Sequence, residues 1–393
     1  FDWIAINKVV SLVEEDVEDQ IMAFVKAFLR ERGKVYLSYY SMPGQAQMGP
    51  LPRMLEFFHN LTPEAESAEN RYRKAFSQIQ DMAERKGAVF SQNARLASQV
   101  KQLGKKPVNF LIHDYSGARN EPPYFIDLAQ KLLDAGLEFT GSANFIRNVD
   151  EFQFTRGLLG YLNRFKAPLI REQVADFLRN TGFRRDVFTN KRRHLSRPER
   201  LSSWRGTLFG LVRAHSEVNA ELKLPEGTAS LDGPLFWTVI ESLSQGPKKL
   251  GEIEQETGYE ANELIKTALH LLLVSGQIKP MHPRTKDPER IKRLNSILIN
   301  RARASQPVNA LGTAYGAVLP IPLMEQVYMT EKEDSFEAAT QNVLQVLKEN
   351  GRQITDETGR IITDKHKEQS RLAEILTTFQ QEKLPLYQTL GII

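Results

Sequence analysis

The feature that most constrains this chain is a pair of apolar segments separated by one helix near the amino terminus. FDWIAIN (residues 1–7) and KVYLSYYSMPG (34–44) are rich in β-branched and aromatic residues. Between them Val17, Ile21, Phe24, Val25, Phe28 and Leu29 recur at helical spacing. Glu14, Glu15 and Asp16 open that helix, where its dipole favours acids, and Gly33 closes it. Two strands joined through a helix pair in parallel. The chain therefore begins as an α/β sheet.

Further along, residues 51–104 read as helices rich in Arg, Lys, Glu and Gln, with breaks at Pro63 and Gly87. PVNFLIHDY (107–115) returns to strand character, YFIDLAQKLLDAG reads as an amphipathic helix stopped by Gly136, and LEFTGSANF follows as a strand. This places four strands within residues 1–150, interrupted by a helical insertion at 51–104. Residues 151–225 form a mostly helical middle region. Within it, nine cations between Arg179 and Arg205 face only Asp186 and Glu199, which predicts an exposed basic, amphipathic element. In 226–285, PLFWTVIESL, LGEIEQETG and EANELIKTALHLLLVSG are followed by QIKPMH, an order resembling a winged helix. Residues 286–393 add helices near 291–304, 335–350 and 365–382 around a Pro/Gly/Ala-rich connection at 306–322.

A length of 393 residues fits two or three domains. No apolar run approaches the roughly 18 residues of a spanning helix. Cysteine is absent, which excludes disulfides, zinc-thiolate sites and cysteine nucleophiles and suits a cytoplasmic setting. The seven histidines show no HxxxH pair, so no metal site is expected, and GxSxG, Walker and strand-linked GxGxxG motifs are missing. The net charge of +4 permits an acidic partner without requiring one. The first residues carry neither a signal-peptide pattern nor a starting Met, and they read as a strand entered in mid-domain.

The chemistry is then sought at the carboxyl edge of the sheet, where α/β folds bind ligands. That edge would carry Asn7 and Lys8 after the first strand and Tyr39, Tyr40 and Ser41 at the end of the second. Tyr39 and Tyr40 either wall a pocket or cap the sheet as packed aromatics. His113 and Asp114 either orient a substrate amine or relay a proton, or form a self-satisfied loop pair. The third helix of the winged-helix-like segment has one Lys, no Arg and an acidic start, which argues against nucleic acid.

The ordered segments resemble bacterial S-adenosylmethionine-dependent methyltransferases that carry a methyltransferase regulatory domain, similar to rickettsial protein-lysine methyltransferases. FDWIAINKVVSLV looks like that family's fourth strand and KVYLSYYSMPG its fifth; FSQNARLASQVKQL, FLIHDY with PPYFIDLA, LEFTGSAN, REQVADFLRN, FRRDVFTNKRRHLS, LLLVSGQIKP and LPLYQTLGII follow in family order. The resemblance implies the C-terminal part of a Rossmann-like class I methyltransferase sheet, with 107–115 and 137–145 as its closing antiparallel hairpin and 51–104 as a lid. It also implies S-adenosylmethionine as cofactor of the full-length protein, the glycine-rich half lying outside this chain. Tyr40 and Gln45 stand where the family favours Asn and Trp, and Asn7 and Lys8 where it favours His-Gly.

On that basis the catalytic candidates are Tyr39, Tyr40 and His113. Asn7 and Lys8 are the cofactor-binding candidates, and Asp114, Tyr115 and Tyr124 the substrate-binding ones. The implied activity is methylation of a protein lysine, with a protein partner, no membrane, and a homodimer left open. A catalytically degenerate protein-binding module is the alternative, with DNA binding behind it.

Overall fold

The computed structural model describes the chain except residues 116–120, 220, 226, 231–232, 307 and 332–334. The chain divides into two units, Phe1–His194 and Leu195–Ile393. Residues 151–194, placed by sequence in a middle region, thus belong to the same unit as the first sheet.

The first unit opens as β1 (Trp3–Asn7), α1 (Glu15–Phe28) and β2 (Lys34–Tyr40), with β1 and β2 parallel. Val25 of α1 packs with Ile6, Val35, Leu37 and Tyr39, so the apolar periodicity of the helix and the alternation of the strands meet in one core. A helical body follows: α2 (Pro50–Asn60), α3 (Ala68–Glu84), α4 (Ala88–Ser91), α5 (Ala94–Leu103) and α6 (Val108–Tyr115). Ser67 and Asn93 cap α3 and α5 by accepting hydrogen bonds from the backbone N–H groups of Asn70 and Leu96. Leu51, Leu55, Phe76, Ile79, Leu96, Val100 and Leu111 form its own core.

The expected strand at 107–115 is α6. Its buried positions, Leu111 and Asp114, lie three apart and share one helical face. A short apolar run of this length fits strand or helix equally by periodicity, and packing of Leu111 into the helical body decides it.

After α7 (Phe125–Asp134) the chain forms β3 (Glu138–Ser142), then α8 (Arg156–Leu162), α9 (Pro168–Arg179) and β4 (Phe183–Thr189). The sheet order is β1-β2-β4-β3, with β4 antiparallel to both neighbours. The predicted hairpin of 107–115 with 137–145 is therefore replaced by β3 against β4, and the described residues of 1–150 contain three strands, not four.

The basic stretch is also reassigned. Arg184, Asp186 and Phe188 alternate inward along β4, and Arg184 is fully buried. Its guanidinium meets Asp176 at 2.6 Å, Asp186 at 2.7 Å and Glu172 at 3.0 Å, and its centre lies 4.0 Å from the Phe125 ring. A charged inward face supported by carboxylates from α9 hides the strand from a hydrophobicity reading.

In the second unit, α10 (Arg197–Gly206) precedes β5 (Leu208–Leu211), the central strand of an antiparallel sheet flanked by β8 (Lys248–Lys249) and β9 (Ile278–Met281), and a separate hairpin joins β6 (Glu221–Leu224) to β7 (Gly227–Ser230). The expected helices occur at Pro234–Ser244, Leu250–Thr257 and from Ala261 to Val274, around Phe209, Val239, Ile240, Ile253, Leu269 and Ile278. β8 (Lys248–Lys249) lies between the first two helices and β9 (Ile278–Met281) follows the third. The exposed residues in the first two turns of that third helix are Asn262, Glu263, Lys266 and Thr267.

Beyond it, the helix Pro288–Arg303 and those at Leu323–Thr330, Phe336–Glu349 and Lys365–Thr378 enclose a second core. Buried Asn295 fixes the closing segment there, donating to the carbonyls of Gly312 and Ile392 and accepting from Gly312 N–H. Among the described residues no helix is long and apolar enough to cross a membrane.

Candidate functional site

β1 and β2 end side by side, with Asn7 opposite Ser38 in register. The chain leaves β1 through Lys8 in a left-handed conformation, φ 62°, and its backbone N–H donates to the Ser38 carbonyl at 2.9 Å. This turn swings the Lys8 side chain over the sheet edge towards α6. Past β2, Gly44 lies so tightly against Thr181 and Gly182 that a Cβ would come within 2.4 Å of their backbone atoms. Only glycine lets the end of β2 meet the start of β4 this closely.

Asp114, on the inward face of α6, is the centre of the site. Its side chain is 3% exposed and accepts from Lys8 Nζ at 3.1 Å and from Tyr40 Oη at 2.9 Å, while His113 Nδ1 lies 3.1 Å from its second oxygen. Burial alone would raise its pKa. Hydrogen bonds from His113, Lys8 and Tyr40 outweigh that and hold the carboxyl below its ordinary value. Burial, then the neighbouring Asp114 charge, pushes the Tyr40 phenol well above its usual value. Burial and Asp114 likewise raise Tyr115, against a hydrogen bond from Gln99. The Lys8 ammonium lies 5.5 Å from the ring centres of both Tyr40 and Phe110.

Of these groups Tyr40, Asp114 and Tyr115 border a cavity of about 220 Å³ between the sheet edge and the helical body, lined also by Ser11, Gln45 and Arg95. Ser11 Oγ accepts from the Tyr40 backbone N–H at 2.8 Å and so fixes the strand end.

The structure brings Lys8, Tyr40, His113, Asp114 and Tyr115 together. Tyr39, one residue along the strand, points to the opposite face. It is fully buried in the core, and its hydroxyl donates to Asp186 at 2.7 Å. Burial, followed by the Asp186 charge, raises its pKa well above the usual value. Tyr39 therefore does not line the cavity. Asn7 is exposed and accepts from Ser38 Oγ at 2.5 Å. Tyr124 is 37% exposed, its ring 5.9 Å from that of Phe177, and it too lies outside the lining.

Sequence reasoning missed Arg95 and Gln99. They sit four apart on α5, a spacing that by itself reads as an ordinary solvent-facing pair.

The first unit is thus an α/β unit with a polar pocket beyond the carboxyl ends of two parallel strands. Residues 107–190 match the family described as predicted methyltransferase regulatory domain. The whole chain is 28% identical, over 400 residues, to the uncharacterized protein sll1526 of Synechocystis, covering 78% of that relative. A third of it, 134 residues at 24% identity, matches the uncharacterized protein RP028 of Rickettsia prowazekii and covers 53% of it.

Among solved structures, PKMT2 from Rickettsia typhi in complex with AdoHcy shares the fold at a TM-score of 0.64 and 15% identity, over the whole of this chain and 81% of that one. A second structure of PKMT2 from Rickettsia typhi matches at a TM-score of 0.61 and 15% identity. Residues 107–190 are thus similar to a methyltransferase regulatory domain, and the chain shares its fold with the rickettsial protein.

Proposed function

We propose that this protein takes part in methyl transfer from S-adenosylmethionine to a protein acceptor, a lysine amine in the reading favoured here, with the Asp114 cavity as the acceptor site. One observation carries the reading. The cavity lies at the carboxyl edge of the parallel β1–β2 pair, in a chain whose whole length superposes on a protein bound to AdoHcy.

Bound S-adenosylmethionine supplies a methyl group on a positively charged sulfur. A volume of about 220 Å³ is below the roughly 300–1,000 Å³ of complete small-molecule sites. The residues present therefore fit the reacting end of the cofactor together with one acceptor side chain. Asn7, exposed at the strand edge, and the turn at Lys8 would border the cofactor; Tyr40 and Tyr115 wall the acceptor.

The chain's own residues chiefly position and shield. Asp114 already accepts from three donors, so it anchors Lys8 and Tyr40 instead of serving as a free base. Tyr40 and Tyr115 offer aromatic surface to a cation. Helices α2 to α6 shield the cavity, and a desolvated lysine amine loses its proton more easily. His113, its side chain 70% exposed, meets Asp114 and would orient the amine from there. The reading carries a protein partner in a cytoplasmic setting.

The full occupation of Asp114 also favours a second reading, a protein-binding module without catalysis. Calorimetric titration of the full-length protein with S-adenosylmethionine separates the two. Binding heat together with methyl transfer that falls at least about tenfold in Tyr40→Phe supports the enzyme; absence of heat supports the module.

A further inference from the structure

The cavity is electrically unbalanced. Among its lining residues Asp114 is the carboxylate and Arg95 the cation. Asp114 is already engaged by Lys8, Tyr40 and His113. Arg95, at the second position of α5, forms no ion pair among the described residues.

Its guanidinium packs beside a glycine. A Cβ on Gly182 would stand 2.9 Å from Arg95 Nη2, the flexible end of an exposed side chain, which an alanine there would press aside. Gly182 is held there by its own carbonyl, which accepts from Gln45 Nε2 at 2.8 Å and from the Ser41 backbone N–H at 3.2 Å.

We infer that Arg95 determines the specificity of this pocket and that the group it selects is a carboxylate, an Asp or Glu side chain of the acceptor protein beside the methylated position. The inference rests on the reading of the cavity as an acceptor site. A planar guanidinium matches the two oxygens of a carboxylate with paired hydrogen bonds. The described wall argues against phosphate, because among its described residues Arg95 has no second cation beside it for a dianion, and Met48, Pro52 and Pro122 are apolar.

The test is direct binding of glutarate, glutaramide and inorganic phosphate to the full chain, measured by calorimetry. Glutarate is expected to bind roughly tenfold more tightly than its uncharged diamide. Arg95→Gln should abolish that discrimination and Arg95→Lys retain part of it. Gly182→Ala should weaken glutarate binding by displacing the guanidinium, while circular dichroism reports a folded chain. Equal binding of glutarate and glutaramide, unchanged glutarate binding in Arg95→Gln, or tighter binding of phosphate than of glutarate would each overturn the inference. These measurements need no methyl transfer. Glutarate discrimination without any response to S-adenosylmethionine removes the methyltransferase reading alone, and the converse result removes this inference alone.

Discussion

Lys8 Nζ lies 3.1 Å from Asp114 Oδ2, an ion pair that spans 106 positions of sequence. It ties the turn after β1 to the last helix of the inserted body. Closing so long a loop has an entropic cost that neither residue alone repays, and Tyr40, donating to the same oxygen, shares the load.

The Asp114 carboxylate should make stability depend on pH. Its folded-state pKa is depressed, so its contribution is present above the ordinary carboxylate value of about 4 and is lost as pH falls through the folded value. Asp114→Asn is expected to lower the unfolding free energy by about 1–3 kcal/mol at neutral pH. Urea denaturation across the acid range should show the gap to wild type closing; a gap independent of pH would falsify the assignment.

Adjacent tyrosines should separate cleanly. Tyr39→Phe removes a donor from buried Asp186 and should cost about 1–3 kcal/mol in thermal or urea unfolding. In this variant the affinity for acceptor peptide should stay at the wild-type value. Tyr40→Phe should do the reverse, altering the pocket more than the core, because Tyr40 is only partly buried. Matching profiles for the two variants would contradict the alternation of β2.

Arg184 is the sharpest test of the buried charge network. Arg184→Met leaves Asp176 and Asp186 uncompensated in the interior and is expected to cost about 3–5 kcal/mol. Arg184→Lys should recover little, since one ammonium cannot reproduce the forked contacts to three carboxylates. A loss below about 1 kcal/mol on chemical denaturation, the scale of an exposed pair, would show that the network contributes no more than surface charges.

In the second unit Asn295→Ala should destabilise by about 2 kcal/mol or more, because it strands the buried carbonyl of Ile392 and the half-buried carbonyl and N–H of Gly312. Amide hydrogen exchange should rise first at Gly312 and the closing residues. Unchanged protection there would mean that the carboxyl end is held by its apolar packing alone.

Much of this architecture is legible from local pattern. The β1-α1-β2 unit follows from apolar spacing around Gly33, and the helices of 51–104 from their helical pattern and the breaks at Pro63 and Gly87. Part of the site is equally legible, since strand ends project their residues at a sheet edge wherever the sheet forms; Lys8 and Tyr40 are found that way. The α6 segment is different. VNFLIHDY has the composition of a strand, and only the packing of Leu111 and the pairing of Asp114 make it a helix.

What the sequence by itself determined is the class of the first unit and the neighbourhood of its site, because hydrophobic period and turn residues act within a few positions of themselves. Tertiary structure alone decided that β4 is a central strand, that Tyr39 faces the core while Tyr40 faces the cavity, and that Arg95 joins the pocket wall. Each depends on charges or backbones that meet across tens of residues. Arg184 is buried because carboxylates of α9 await it, and no local pattern of hydrophobicity records a partner that distant.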